Sequence, residues 1–159
     1  MIRRIRRPEQ HSDLLSELVD RDDGVFDTYK DALIFAAAFG AYVGRRESFE
    51  KVAEPIDYQI FARHADQLAL FDALAVYDRE DIEVLSAERT DERLTIFEEY
   101  ANGGLSEIKE ARAQFDQPLQ DVVQRLIGQV RIDLPRDEED DGYRKVMEEI
   151  GAGYRPVGK

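Results

Sequence analysis

The chain has 159 residues, contains no cysteine and carries a formal net charge of −13 at pH 7. This length predicts one domain that can bury a hydrophobic core, and a hydrophobic content of 43% favours a folded protein over a disordered one. The lack of cysteine excludes disulfides, catalytic thiolates and cysteine-rich zinc sites. The acidic charge disfavours non-specific binding to nucleic acid, and the first residues lack a signal-peptide pattern, so we expect a cytoplasmic protein.

The first third of the sequence predicts two helices. Pro8 suits the first position of a helix, and leucines at 14, 15 and 18 form an apolar face at helical spacing. The acidic stretch that ends at Gly24 is expected to terminate this helix. Asp27 or Thr28 is expected to cap the second helix, which extends to Tyr42 or Gly44.

The second helix is the least polar part of the chain. Its apolar run, residues 32–43, is too short for a membrane span, which needs about 20 apolar residues. A helix that is apolar on all sides is usually buried on all sides, so we expect these residues to lie in the core. Ala37, Gly40, Ala41 and Gly44 recur at helical spacing and predict a close crossing by another helix. A cofactor pocket is the alternative interpretation, and we expect no cofactor.

The rest of the chain predicts one extended segment and further helices. Residues 54–61 contain Pro55 and alternate apolar with polar side chains, which is typical of a short strand. Residues 81–89 are predicted to be a brief extended connection. Asn102-Gly103-Gly104 is interpreted as the end of a helix, and Ser106 as the cap of the next one. The predicted helices cover residues 62–77, 91–101, 106–115, a segment that begins at Pro118, and residues 143–150.

The predicted fold is therefore mainly α. It consists of a single compact helical domain of about five to six helices over residues 1–134, with one short extended or two-stranded element. Residues 135–159 are predicted to form an acidic, partly flexible C-terminal tail.

The sequence contains no recognisable catalytic constellation. The two histidines, His11 and His64, do not occur in a metal-binding or triad pattern, and neither a nucleophile elbow nor a phosphate-binding loop is present. Glu107 and Lys109 have the acid-x-lysine spacing that metal-dependent nucleases use. That spacing is also expected by chance in a chain so rich in charge, and we predict no catalytic residue and no metal site.

Two groups of residues are candidates for interaction. The first group consists of arginines that could meet phosphates or the acidic groups of a protein: Arg3, Arg4, Arg6, Arg7, Arg45 and Arg46. The second group is an interaction or structural motif: Glu98, Glu99, Tyr100, Asn102, Gly103 and Gly104. Two adjacent glutamates on a helix point in different directions, so only one of them can serve a given site.

Three stretches resemble a known family: FDTYKDALIFAAAFG from Phe26, GRRESFEK from Gly44 and FEEYANGGL from Phe97. The family is the DNA phosphorothioation-associated (Dnd system-associated) protein 4 family of bacteria and archaea, and the resemblance extends over about residues 3–127. It implies an accessory protein encoded beside machinery that marks DNA with backbone sulfur or cuts unmarked DNA, in defence against phage. It implies no catalytic residues.

Three functions remain open at this point. The first is a non-enzymatic helical adaptor that binds a protein component of the DNA modification or restriction complex, with any contact to DNA made through that partner. The second is an accessory protein that binds DNA directly through the clustered arginines. The third is a metal-dependent nuclease that uses Glu107 and Lys109. The adaptor is the function we expect.

Overall fold

The computed structural model describes residues 2–133, and side-chain surroundings up to residue 130. The chain divides into two units, residues 1–125 and residues 126–159, and the second is described only where it forms the end of the last helix. The predicted tail and the predicted helix at residues 143–150 lie outside the described residues. The described part has six α-helices and two strands: β1 (Arg4–Pro8), α1 (Ser12–Leu18), α2 (Tyr29–Tyr42), β2 (Val52–Asp57), α3 (Tyr58–Ala62), α4 (Ala65–Arg79), α5 (Thr90–Phe115) and α6 (Leu119–Asp133).

The mainly α fold and the two N-terminal helices are confirmed. Thr28 caps α2, because its side chain accepts a hydrogen bond from the backbone N–H of Asp31. Pro8 does not begin a helix: it is the last residue of β1, and a 3-10 turn over Glu9–His11 precedes α1. Pro118 precedes α6 as predicted, and its carbonyl accepts hydrogen bonds from the first turn of that helix.

The predicted close crossing of α2 is present, and α5 is the helix that crosses it. A Cβ atom added to Gly104 of α5 would lie 2.7 Å from the carbonyl carbon of Ala36. A Cβ atom added to Gly40 of α2 would lie 2.9 Å from the backbone nitrogen of Gly104. Since carbon atoms in contact normally stay at least 3.5 Å apart, only glycine fits at these two positions. The two backbones therefore touch.

The prediction that Asn102-Gly103-Gly104 ends a helix is wrong. Helix α5 runs without a break from Thr90 to Phe115, and Ser106 lies inside it rather than capping a new helix. Gly103 and Gly104 are needed for packing, because a Cβ at either position would overlap a backbone carbonyl, that of Arg45 or that of Ala36. Tertiary contact outweighs the cost of about 1 kcal/mol that a glycine adds to a helix interior.

Helix α2 is not buried on all sides, which corrects a second prediction. Ala32, Leu33, Ala36 and Ala37 are at most 1% exposed, but Ala38 faces solvent. The C-terminal end is also open, since Tyr42 and Val43 are exposed. A Cβ atom added to Gly44 would meet no described atom within 4 Å, and the residue has a φ of +69°, so it ends the helix rather than joining the crossing.

An aromatic cluster forms the centre of the core, against the N-terminal half of α5 and about two turns before the crossing with α2. The rings of Phe71 and Phe97 stack with centroids 4.0 Å apart, and Phe61 meets both rings edge-on. All three side chains are at most 2% exposed. The cluster joins α3 and α4 to α5.

The two strands form an antiparallel pair, so the N-terminal segment lies beside residues 52–57. Ile5 pairs with Ile56 and Arg7 with Ala53, with an irregularity between them opposite Pro55. The predicted extended segment is confirmed up to Asp57, where α3 begins with Asp57 as its cap. Residues 81–89 are not extended, because they form two 3-10 turns, Ile82–Leu85 and Ala87–Arg89. No helix in residues 2–133 has the length and apolar character of a membrane span.

Candidate interaction site

Helix α5 carries a row of buried polar side chains, here called the polar row. Glu98, Asn102 and Ser106 are four residues apart, so they lie on one face of the helix. Each is at most 9% exposed. They face the N-terminal segment and the loop between α2 and β2. A buried polar group is costly unless it is hydrogen-bonded, and the following contacts show that each one is.

Glu98 holds strand β1 against α5. One carboxylate oxygen accepts a hydrogen bond from the Arg6 backbone N–H at 2.7 Å, and the other accepts one from Arg6 Nε at 2.6 Å. The Glu98 side chain is 3% exposed. Burial raises the pKa of Glu98 above its usual value, although both bonds from Arg6 oppose the shift. Arg6 and Glu98, which the sequence indicates as candidates for interaction, therefore pair with each other.

Asn102 and Ser106 connect three segments of the chain. The Asn102 side chain accepts a hydrogen bond from Gln10 at 2.9 Å and donates one to the backbone carbonyl of Glu47 at 3.1 Å. Ser106 Oγ donates to a carboxylate oxygen of Glu47 at 2.7 Å and lies 3.2 Å from His11 Nε2. The polar row therefore fixes both the N-terminal segment and the loop that carries Arg45 and Arg46.

His11 is held in its neutral form. Ser106 has one proton and gives it to Glu47, so His11 Nε2 must donate to Ser106, which leaves Nδ1 unprotonated. Nδ1 is buried and has no hydrogen-bond partner among the described residues. Burial lowers the pKa of His11 to about 4, with the charges of Lys109 and Arg45 acting in the same direction and Glu47 opposing them.

This arrangement does not activate Ser106 as a nucleophile. Ser106 and five other polar residues line an open cavity of about 430 Å³: Gln10, His11, Glu47, Lys109 and Glu110. A serine nucleophile needs a neighbouring base that accepts its proton and has a pKa near the working pH. Here His11 donates to Ser106, and the pKa of Glu47 lies below its usual value: burial raises it, but the bonds from Ser106 and Arg45 outweigh burial.

Arg45 binds three glutamates. Its guanidinium donates to Glu107 at 2.8 Å and to Glu110 at 2.9 Å, and its Nε donates to Glu47. The hydrogen bonds to Glu110, Glu107 and Glu47 raise the pKa of Arg45 above its usual value. Arg45 thus joins the α2–β2 loop to the C-terminal half of α5.

Arg46 binds a second pair of carboxylates. It lies 2.5 Å from Asp78 of α4 and 2.6 Å from Glu99 of α5. The Tyr100 hydroxyl donates to the other oxygen of Asp78 at 2.9 Å. Burial, followed by this bond, raises the pKa of Tyr100 to about 12. From the sequence, Arg46 belongs to one candidate group, and Glu99 and Tyr100 belong to the other. In the structure Arg46 contacts both Asp78 and Glu99, and Tyr100 contacts Asp78.

The remaining candidate arginines lie on or beside β1. Arg3 pairs with Asp91 at 2.8 Å. Arg7 donates to the backbone carbonyl of Glu54 and stacks over the ring of Tyr29 at 4.3 Å. Arg4 is exposed and makes no side-chain hydrogen bond or ion pair within the described part of the chain. Five of the six candidate arginines are therefore bound inside this chain.

The residues of the nuclease alternative do not form a metal site in the structure. Glu107 and Lys109 lie within α5, where Glu107 pairs with Arg45 and Lys109 is exposed. Residues 2–133 contain no group of three His, Asp or Glu side chains that could hold a metal ion. His64 is exposed at the start of α4, and its side chain does not cap the helix.

The pairing partners are the part of the site that sequence reasoning missed. Asp78 and Glu47 hold Arg46, Ser106 and Asn102, yet neither stands out in a chain with so many acidic residues. A signal for the polar row was present, since Glu98, Asn102 and Ser106 follow helical spacing. It was hidden by the interpretation of Gly103 and Gly104 as a helix end.

Burial of His11 predicts a specific loss of stability in mild acid. Because the folded state keeps His11 neutral down to about pH 4, while its ordinary pKa is 6.5, the unfolded state binds more protons between these values. The contribution of neutral His11 to the free energy of unfolding is complete above pH 6.5. It is lost as the pH falls toward 4, and the loss reaches about 3 kcal/mol. Urea denaturation from pH 7.5 to 4.5 measures it.

The matched variant for this measurement is His11→Gln, which keeps a donor for Ser106 but does not titrate. Its free energy of unfolding should fall less than that of the wild type over the same range. The comparison is needed because Glu98, whose pKa is raised, titrates with the opposite sign: its contribution is lost as the pH rises. Parallel pH curves for the two proteins would mean that His11 is accessible to protons in the folded state.

Comparison with known proteins identifies the family of the chain. The family model described as DNA sulphur modification system-associated protein 4 matches residues 4–144, which is most of the chain. No curated protein and no solved structure matches the chain significantly. The family match confirms the resemblance that the three sequence stretches indicate, and by its name the family is associated with a DNA sulphur modification system. The chain therefore belongs to the DNA sulphur modification system-associated protein 4 family.

Proposed function

We propose that this protein is a non-enzymatic helical adaptor of a Dnd-type DNA phosphorothioation system, acting in the cytoplasm in defence against phage. In this proposal it binds a protein component of the modification or restriction complex, and it reaches DNA only through that component. The family membership supports the association with the system. The adaptor role is supported by the ion pairs that the candidate arginines form within the chain.

The observation that carries the proposal is the internal pairing of the candidate arginines. Arg6, Arg45 and Arg46 bind carboxylates of α4, α5 and the α2–β2 loop. A phosphate would have to displace those carboxylates, and doing so would leave buried Glu98 without its partner at a cost of several kcal/mol. These arginines hold the fold together and are not available to DNA.

Direct DNA binding is the less favoured alternative. Arg4 is the candidate arginine without a side-chain partner among residues 2–133, and one phosphate contact supplies little affinity. The net charge of −13 repels a duplex before any contact forms. A metal-dependent nuclease is less favoured still, because Glu107 is held by Arg45.

We predict that the purified protein does not shift short duplex DNA at about 0.15 M salt. An electrophoretic mobility assay with protein up to tens of micromolar tests this, with Arg4→Ala as the matched variant because its removal breaks no internal bond. A salt-sensitive shift would overturn the adaptor proposal whether or not Arg4→Ala weakens it, since each phosphate contact adds a slope of about −0.9 in log K against log salt. Cleavage of plasmid DNA with magnesium or manganese would also overturn it, if Glu107→Ala abolished that cleavage.

A further inference from the structure

The segment between α4 and α5 exposes apolar side chains. Ile82 is 65% exposed and Leu85 is 37% exposed. They are three residues apart in the 3-10 turn Ile82–Leu85, and side chains with this spacing lie above one another on such a turn. We call Ile82 and Leu85, the exposed apolar side chains of this turn, the apolar ridge.

The ridge is held rigidly from behind. Val84, in the same turn, is fully buried. The guanidinium of Arg93 donates to the backbone carbonyls of Val84 and Ser86, each at 2.8 Å. At the start of the turn, Asp81 accepts a hydrogen bond from the Glu83 backbone and pairs with Arg89 at 2.9 Å. A surface that is already ordered loses little conformational freedom when it binds.

The charge around the ridge is acidic. The neighbouring cations are all paired within the chain: Arg79 and Arg89 with Glu92, and Arg93 with Asp72. In contrast, the carboxylates of three glutamates beside the ridge form no ion pair or side-chain hydrogen bond in residues 2–133: Glu80, Glu83 and Glu88. The ridge therefore presents apolar side chains bordered by unneutralised negative charge.

We propose that the apolar ridge is the docking surface for a protein partner whose binding face is an apolar groove bordered by lysine or arginine. The proposal rests on the adaptor function and names the surface and partner chemistry that this function uses. The apolar side chains supply the buried centre of the contact, in the way that a few central residues dominate many interfaces. The three glutamates attract the basic border and speed the encounter.

The test measures binding to the proteins of the host's DNA sulphur modification system, each purified separately, by surface plasmon resonance. The ridge variant is Ile82→Ser/Leu85→Ser, and the charge variant is Glu80→Gln/Glu83→Gln/Glu88→Gln. The control is Val52→Ser, because Val52 is 39% exposed and lies on β2, where it pairs with Pro8. The changed side chains are exposed, so denaturation curves should show that all variants remain folded.

We expect the ridge variant to bind at least about tenfold more weakly, mainly through faster dissociation. The charge variant should associate more slowly and depend less on salt, while the control binds as the wild type does. Equal binding of the wild type and the ridge variant would overturn the ridge but leave the adaptor function standing. If the wild type bound none of these proteins, both proposals would be overturned.

Discussion

Replacement of Gly104 by alanine should lower the free energy of unfolding by roughly 3 kcal/mol, although alanine would stabilise an isolated helix by about 1 kcal/mol. The added Cβ would lie 2.7 Å from the carbonyl carbon of Ala36. No rotamer change relieves this overlap, because the obstructing atoms belong to the backbone of α2. The two helices would have to separate where they touch, and chemical denaturation followed by circular dichroism measures the loss.

Gly128→Ala is the matched control for this prediction. Gly128 also lies within a helix, α6, but a Cβ added there meets no atom of the described residues within 4 Å. We therefore expect an unchanged or slightly higher stability, by up to about 1 kcal/mol. If Gly104→Ala behaved like Gly128→Ala, the close crossing of α2 and α5 would be wrong.

Truncation of Phe97 should have the largest effect of any single core substitution. Phe97→Ala is expected to cost about 3–5 kcal/mol, because the ring is fully buried and contacts both Phe61 and Phe71. Because the sequence predicts that the apolar run of residues 32–43 lies in the core, a similar loss would be expected for Phe35→Ala. The structure lowers that expectation to about 2 kcal/mol, since Phe35 is only partly buried.

Urea denaturation of Phe97→Ala and Phe35→Ala under the same conditions compares the two sites. A larger loss for Phe97→Ala places the centre of the core at the aromatic cluster of α3, α4 and α5. A larger loss for Phe35→Ala would mean that the centre of the core lies at α2, as the apolar run in the sequence indicates. The ratio of the two losses is more informative than either value, because the errors of absolute burial energies largely cancel.

The elements that follow from local chemistry could be predicted from the sequence. Thr28 caps α2 because a side-chain oxygen near a helix start binds its free N–H groups. Pro55 marks the extended segment because proline does not fit inside a helix. The close crossing at Gly40 was also predictable, since small residues at helical spacing have few other uses in a buried helix.

The continuous helix α5 could not be predicted because glycine has two opposite uses. Locally, Gly103 and Gly104 favour a helix end. In the folded chain they leave room for backbone atoms of Ala36 and Arg45, about 60 residues away in the sequence. One sequence without its relatives does not distinguish these uses, because the deciding contact is not local.

The candidate site also combines features that the sequence indicates with contacts that only the fold creates. Arginines 45 and 46 stand out because they follow the apolar helix, and Glu98 to Gly104 stand out as a compact motif. Arg46 pairs with Glu99 of this motif, whereas Arg45 pairs with Glu107, which lies beyond it. Both ion pairs depend on the crossing of α2 and α5, which brings the α2–β2 loop against α5. The arginines and the motif could be found from the sequence, whereas the partners Glu47 and Asp78 and the contacts themselves required the fold.

Affinity purification of the tagged protein from its native host, with and without nuclease treatment of the lysate, tests the adaptor function most directly. We expect a protein component of the DNA sulphur modification system to be recovered in near-stoichiometric amount, and equally after nuclease treatment. Recovery of that component only while DNA is intact would contradict the account, because the association would then run through DNA rather than through a protein surface.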